Sequence, residues 1–342
     1  MSRSKQQQQW SLFCWLLVFG LACRPARAFI EPVSWGVVAT GLGTAGIFAG
    51  LSYLQCRWTE CCDSDSIVPD IAGLKIDLYS KLHGQHLARQ VVLKALQFHL
   101  KPAVNSKKAL VISFHGWTGS GKNYVSQMIA ERLYKKGMKS RFVHHFMATT
   151  HFNHAHRAHE YQEQLKSWIR GNVTECEQSL FIFDEVDKMP PTVIDAIKPF
   201  LDYHVEVDRV SYHRAIFIFL SNTGGHQINN VAFEFWKDGK VREDISMQDM
   251  EPLIRRGAFN EAGGLQGSLV VQNNVIDFLV PFLPLERIHI MQCVADELKD
   301  QKLRYRKDLA EKVADMMEYK GDVYSTTGCK TVRNKLAYAM EY

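Results

Sequence analysis

Gly116-Trp117-Thr118-Gly119-Ser120-Gly121-Lys122-Asn123 is the stretch on which the reading of this 342-residue chain turns. It follows Ala109–His115, an apolar run that reads as a buried strand, and precedes Asn123–Lys136, which reads as a helix. Between a strand and a helix, glycines let successive backbone N–H groups turn inward toward phosphate oxygens, and the helix N-terminus adds its partial positive charge. Lys122 stands where an ammonium reaches the β- and γ-phosphates. All eight residues, Gly116 to Asn123, are therefore candidates for nucleotide binding. The last position usually offers a Ser or Thr hydroxyl to magnesium. Here it is Asn123, whose amide oxygen can accept a water of the magnesium shell.

Working outward, strands at Arg141–Phe146, Ser179–Phe183 and Ala215–Leu220 alternate with helices at Asn123–Lys136, Glu160–Arg170 and Thr192–Leu201. Alternation with continuously apolar strands predicts an α/β fold, a parallel sheet covered by helices on both faces. Val275–Val280 reads as one more strand. Upstream, Asp77–Leu100 reads as helices with an apolar face at Leu87, Val91, Ala95 and Phe98, and Lys101–Lys108 as a linker. From Leu285 the pattern is helical only, with Pro281 and Pro284 marking the joint, which predicts a small all-α C-terminal domain. The expected division is residues 63–280 for the large α/β domain and 281–342 for the small one. Two strand ends carry further chemistry. Leu180-Phe181-Ile182-Phe183-Asp184-Glu185 ends in two carboxylates, Asp184 suited to magnesium and Glu185 to polarising an attacking water. Phe217-Ile218-Phe219-Leu220-Ser221 leads into Asn222, placed to touch a γ-phosphate or that water. In an α/β sheet such groups meet at the C-terminal ends of the strands.

The order Lys122, Asp184, Glu185, Asn222 resembles that of the AAA+ P-loop ATPases. The loop itself, Trp168-Ile169-Arg170-Gly171-Asn172-Val173, Ile194 to Tyr203, Val280 to Glu286 and Gly328-Cys329-Lys330-Thr331-Val332 are similar to the torsins, over roughly Phe29 to the C-terminus. Asn123 is the torsin form of the loop, and the apolar segment is closest to the membrane-associated torsin-1 type. The resemblance implies a Clp-like fold, ATP and magnesium as cofactors, and hydrolysis of ATP to ADP and phosphate. It implies residence in the endoplasmic reticulum lumen and nuclear envelope, and chaperone-like remodelling of membrane-linked proteins. It further implies activation by membrane-anchored luminal domains of the lamina-associated polypeptide type and its ER counterpart, in a homo- or hetero-oligomer. Lys330 matches the sensor-2 position, a catalytic role by resemblance. Cys293 and Cys329 match a redox-responsive pair near the nucleotide; two plain buried thiols are the alternative. In Clp-like modules an arginine finger precedes the last strand of the large domain. The corresponding Gln272-Asn273-Asn274-Val275-Ile276-Asp277 holds no arginine, and Arg255 and Arg256 lie about twenty residues upstream. No glycine occurs between Gly137 and Gly171, so the aromatic-glycine pore loop of threading unfoldases is missing from its place. A nucleotide-gated scaffold with little turnover is the alternative function.

The N-terminus bears on compartment. Arg3 and Lys5 precede Trp10–Cys23, 14 uncharged residues, and Ala26-Arg27-Ala28 fits a cleavage site, so residues 1–28 read as a signal peptide. Val33–Leu54, 22 uncharged residues, is long enough as a helix (~33 Å) to cross a bilayer, yet five glycines leave a leaflet hairpin or a buried helix open. Residues 29–62 thus read as a membrane-associating segment and a cysteine-containing linker. Arg3, Lys5, Arg24 and Arg27 supply most of the net charge of +5; without them 37 basic residues face 36 acidic ones. That balance, with the signal peptide, excludes a nucleic-acid motor. Forty-six per cent hydrophobic residues exclude a disordered chain, and 8 Cys are too sparse for a disulfide-stapled miniature. Behind a signal peptide, Asn172-Val173-Thr174 is a glycosylation sequon. The spacing of Cys56, Cys61 and Cys62 is poor zinc grammar, and four histidines between His151 and His159 read as a polar loop rather than a metal site.

Overall fold

The computed structural model describes residues 56, 59–103 and 105–341. Residues 1–28, read above as a signal peptide, and the apolar Val33–Leu54 segment lie outside the described residues. No helix among the described residues is long and apolar enough to cross a membrane.

Five parallel strands form the central sheet: β1 (Leu110–Gly116), β2 (Val143–Met147), β3 (Leu180–Asp184), β4 (Ile216–Ser221) and β5 (Phe278–Phe282), in the order β2-β3-β4-β1-β5. Every residue of β1, β3 and β4 is buried, which explains their unbroken apolarity, whereas edge strand β2 exposes alternate residues. Period-two alternation sorts the strand side chains between two cores. Phe181, Phe183, Phe217 and Phe219 point to one face, with Phe181 stacked on Phe217 at 4.8 Å. Leu180, Ile182, Ile216 and Ile218 point to the other. Pro281 sits in edge strand β5, where a missing N–H donor is tolerated.

The helices depart from expectation in detail. The first, α1 (Ile71–Lys81), starts earlier than Asp77 because Asp70 caps it, its carboxylate accepting the Gly73 N–H at 2.8 Å. The buried stripe of α2 (His86–His99) is Leu87, Ala88, Val92, Leu93, Ala95 and Leu96. Val91 is half-buried and Phe98 is exposed, so the expected face was rotated by about one residue. Then come α3 (Lys122–Leu133), α4 (Ala158–Glu175), α5 (Gly225–Lys237) and α6 (Met247–Asn260). Residues Ile194–Leu201 form a 3₁₀ turn running into one helical turn. Helices α7 (Arg287–Asp300), α8 (Lys307–Asp315) and α9 (Val332–Glu341) surround a third core of Ile290, Val294, Leu309, Val313 and Leu336. The C-terminal region is helical, as expected, but also holds a two-stranded ribbon, β6 (Tyr319–Lys320) and β7 (Tyr324–Ser325), too short for periodicity to reveal.

Disulfides join Cys56 to Cys61, Cys62 to Cys176, and Cys293 to Cys329. The one grouping of possible metal donors among the described residues, Cys56, Cys61 and Asp63, has both sulfurs committed to a disulfide.

Candidate nucleotide site

The loop after β1 turns on glycines. Gly119 and Gly121 have φ of 72° and 110°, a region where only glycine is at ease, and Gly121 caps the N-terminus of α3. The loop borders a cavity of about 800 Å³, within the ~300–1,000 Å³ of small-ligand sites. Thr118, Gly119, Ser120, Gly121, Lys122 and Asn123 line it, as do Asp184, Glu185, Asn222, Cys293, Cys329 and Lys330. Gly116 and Trp117 stand behind the loop. A Cβ on Gly116 would come within 2.4 Å of Phe282 O, and the Trp117 indole donates to Thr326 O at 3.0 Å.

Lys122 Nζ donates to Gly116 O (2.6 Å), Trp117 O (3.0 Å) and Asn222 Oδ1 (3.0 Å). All three acceptors are neutral. Burial lowers the ammonium pKa to about 8, against the opposing pull of Asp187 and Asp184. A buried cation touching no anion fits a ligand that brings negative charge, as a nucleotide's phosphates do. Burial also raises the pKa of Asp184, but hydrogen bonds from His145, Asn123 and the Glu185 N–H outweigh it and leave the carboxyl below its ordinary value. Asp184 is therefore anionic. Asn123 Nδ2 donates to Asp184 Oδ2, which leaves the amide oxygen of Asn123 for other donors. Two oxygens of this kind fit magnesium, a hard cation that favours a carboxylate plus waters.

Glu185 is held in the left-handed region (φ 55°), costly for a residue with a side chain and a recurrent feature of functional sites. Its Oε2 accepts the Thr149 hydroxyl at 2.7 Å. Lys330 is exposed at the cavity wall, next to the Cys293–Cys329 disulfide. Asn172 lies away from the site. It sits in the last turns of α4 rather than in a loop, with its Nδ2 donating to Trp168 O at 2.7 Å.

Several site residues were not legible in the sequence. His145, on β2, places Nε2 3.8 Å from Asp184 Oδ2. Buried Gln85 donates to Ser120 O and Leu283 O and accepts from Leu283 N, locking the glycine loop to the end of β5. His83 Nε2 meets Asp296 Oδ2 at 2.6 Å, joining the turn before α2 to α7 across the cavity wall. Asp187 accepts from Asn222 N at 3.1 Å. Only Gln85 and Asp187 left a trace, the first as a polar residue in a glycine turn between helices, the second as a third acid after Asp184-Glu185.

A glycine loop, paired strand-end carboxylates and a polar residue on the adjoining strand, all on a β2-β3-β4-β1-β5 parallel sheet with a helical C-terminal region, define the AAA+ class of ATPases. Within it, the Torsin family model matches residues 56–183, and the model of the Torsin-1A C-terminal domain matches residues 285–339, together more than half of the chain. The chain belongs to the torsin family. Its fold is similar to that of two solved structures. One is the S. cerevisiae Hsp104–ADP complex, with 19% identity and TM-score 0.54 over 79% of this chain and 48% of that one. The other is a closed-state reconstruction of Hsp104 with ATPγS and FITC-casein, with 18% identity and TM-score 0.56 over 78% and 46%. The chain thus spans about half the length of the Hsp104 chains it matches.

Proposed function

We propose that this protein binds and slowly hydrolyses ATP in the lumen of the endoplasmic reticulum and nuclear envelope, as a chaperone-like remodeller of membrane-linked proteins. The observation that supports this most is the convergence of Lys122, Asp184, Glu185 and Asn222 on one cavity from the ends of three adjacent strands. Lys122 and the loop amides hold the phosphates; Glu185 accepts a proton from the attacking water as ADP and phosphate form. Asp184, and Asn123 through a water, would hold magnesium, which would supply charge neutralisation on the phosphates. Lys330 adds a cation from the C-terminal region (281–342) to the site of the large domain (63–280). Binding of ATP that survives Glu185→Gln while hydrolysis is lost is the expected result; equal turnover in variant and parent would reject Glu185 as the base.

The signal-peptide reading and the family resemblance support a secretory compartment, and there an N-glycan on Asn172 is expected. Endoglycosidase treatment of the cell-derived protein checks this through a mobility shift. The partner is read as a luminal activator domain of the lamina-associated polypeptide type, in a homo- or hetero-oligomer. The second reading, a nucleotide-gated scaffold, draws on the absence of arginine from 272–277. Phosphate release with and without an activator domain separates the two.

A further inference from the structure

Asp187 has no part in the chemistry just described, yet it is the second anchor of Asn222. Its side chain is only 9% exposed. Its Oδ1 accepts the Asn222 backbone N–H at 3.1 Å, and its two carboxylate oxygens lie 3.5 and 3.3 Å from Asn222 Nδ2. On its other side, Asn222 Oδ1 accepts from Lys122 Nζ at 3.0 Å. A carboxylate only accepts and an ammonium only donates. The amide between them therefore has one allowed orientation, since the flipped amide would set Nδ2 against the ammonium and Oδ1 against the carboxylate. The anion and the cation polarise the amide in the same sense, so each hydrogen bond strengthens the other. Lys188 Nζ, 3.6 Å from Asp187 Oδ2, is a second and more exposed partner of that carboxylate, and Oδ1 is left to the Asn222 N–H.

We propose that Asp187 is a positioning residue that locks Asn222 with its amide oxygen toward Lys122 and the phosphate end of the cavity. Asn222 then works as an acceptor, for Lys122 and for the attacking water, and not as a donor to a phosphate oxygen. The inference rests on the ATPase reading for its consequence in turnover, but not for the orientation of the amide.

The experiment compares parent, Asp187→Ala and Asp187→Asn by two readouts. Exchange of the Asn222 side-chain amide protons is followed by NMR in nucleotide-free protein. Single-turnover ATP hydrolysis and ATP affinity are measured on the same samples. The amide protons are expected to be protected in the parent and in Asp187→Asn, whose oxygen still accepts, and unprotected in Asp187→Ala. Single-turnover hydrolysis should fall about tenfold in Asp187→Ala, one hydrogen bond's worth, with ATP affinity within about twofold of the parent and most of the rate recovered in Asp187→Asn. Unprotected Asn222 amide protons in the parent, or an unchanged rate in Asp187→Ala, would overturn the proposal. So would equal loss of ATP binding in both variants, which marks a structural role only. The parent and Asp187→Asn measurements decide the orientation even if Asp187→Ala does not fold. A parent that protects Asn222 but does not hydrolyse ATP counts against the ATPase reading and supports the orientation.

Discussion

Lys122 and His115 show how much one buried group decides here. The Lys122 ammonium is desolvated, hydrogen-bonded only to neutral oxygens, and thus poised for an anion. Lys122→Ala should weaken ATP binding on the order of 100-fold, as expected for losing charge-assisted contacts; calorimetry measures it, and unchanged affinity removes Lys122 from the phosphate site. His115, fully buried in β1 beneath the loop, contacts Ser113 Oγ at 2.7 Å and Thr223 O at 3.0 Å. Burial pushes its pKa from 6.5 to about 4, so the folded protein holds it neutral. Between pH 6.5 and 4 the unfolded chain binds the proton and the folded chain does not. Stability is therefore fully present above pH 6.5 and is lost as pH falls toward 4, by up to about 3 kcal/mol from this residue. Burial likewise lowers His144 to about 4 and His289 to about 3, which adds in the same sense. Denaturant melts across this range should show the decline, and His115→Asn should make it shallower; an equal slope in parent and variant contradicts the assignment.

At the level of elements, the glycine loop is bolted to the turn before α9. Cys329 N donates to Gly119 O at 3.1 Å, and a Cβ on Gly328 would lie 2.2 Å from that same oxygen. Gly328 also has φ of 53°. Gly328→Ala should push the two turns apart, lowering both stability and ATP affinity, while Gly171→Ala, on the exposed side of α4 with open space around it, should leave ATP affinity unchanged and raise stability by about 0.5–1 kcal/mol, as alanine does inside a helix. Thermal melts with and without ATP test this pair, and a Gly328→Ala protein that melts and binds like the parent would refute it. The same elements show what sequence could tell. The strands and the loop were legible because burial on both faces leaves a local signature of unbroken apolarity, and because phosphate binding needs glycines in succession. Phe98 misled, since an apolar residue at helical spacing carries no mark of what lies opposite it. Asp70, the cap of α1, lies outside any apolar periodicity that would single it out. Thr149 and His145 reach the site only through tertiary juxtaposition, and no spacing announces that.

For the whole molecule, the open question is where the second positive charge on the transferred phosphoryl group comes from. Residues 272–277, where an arginine finger would stand by family resemblance, instead close the base of the sheet. Asp277 accepts from buried Lys108 at 2.9 Å and from Val111 N at 2.8 Å. Arg255, on α6, reaches this loop but is held there, donating to Asn274 Oδ1 at 2.7 Å and pairing with Glu251 at 2.9 Å. A finger is worth roughly 10³–10⁵ in rate. The isolated protein should therefore turn over very slowly, and a heterologous partner that supplies an arginine in trans should accelerate it by a comparable factor. Steady-state phosphate release is the direct test, measured for the parent alone, with a luminal activator domain, and with that domain lacking its arginine, each beside Glu185→Gln. Slow release alone, strong stimulation that needs the partner's arginine, and none from Glu185→Gln despite bound ATP is the predicted pattern. Vigorous release from the parent alone that is abolished by changing Arg255 and Arg256, or release that persists in Glu185→Gln, would contradict it.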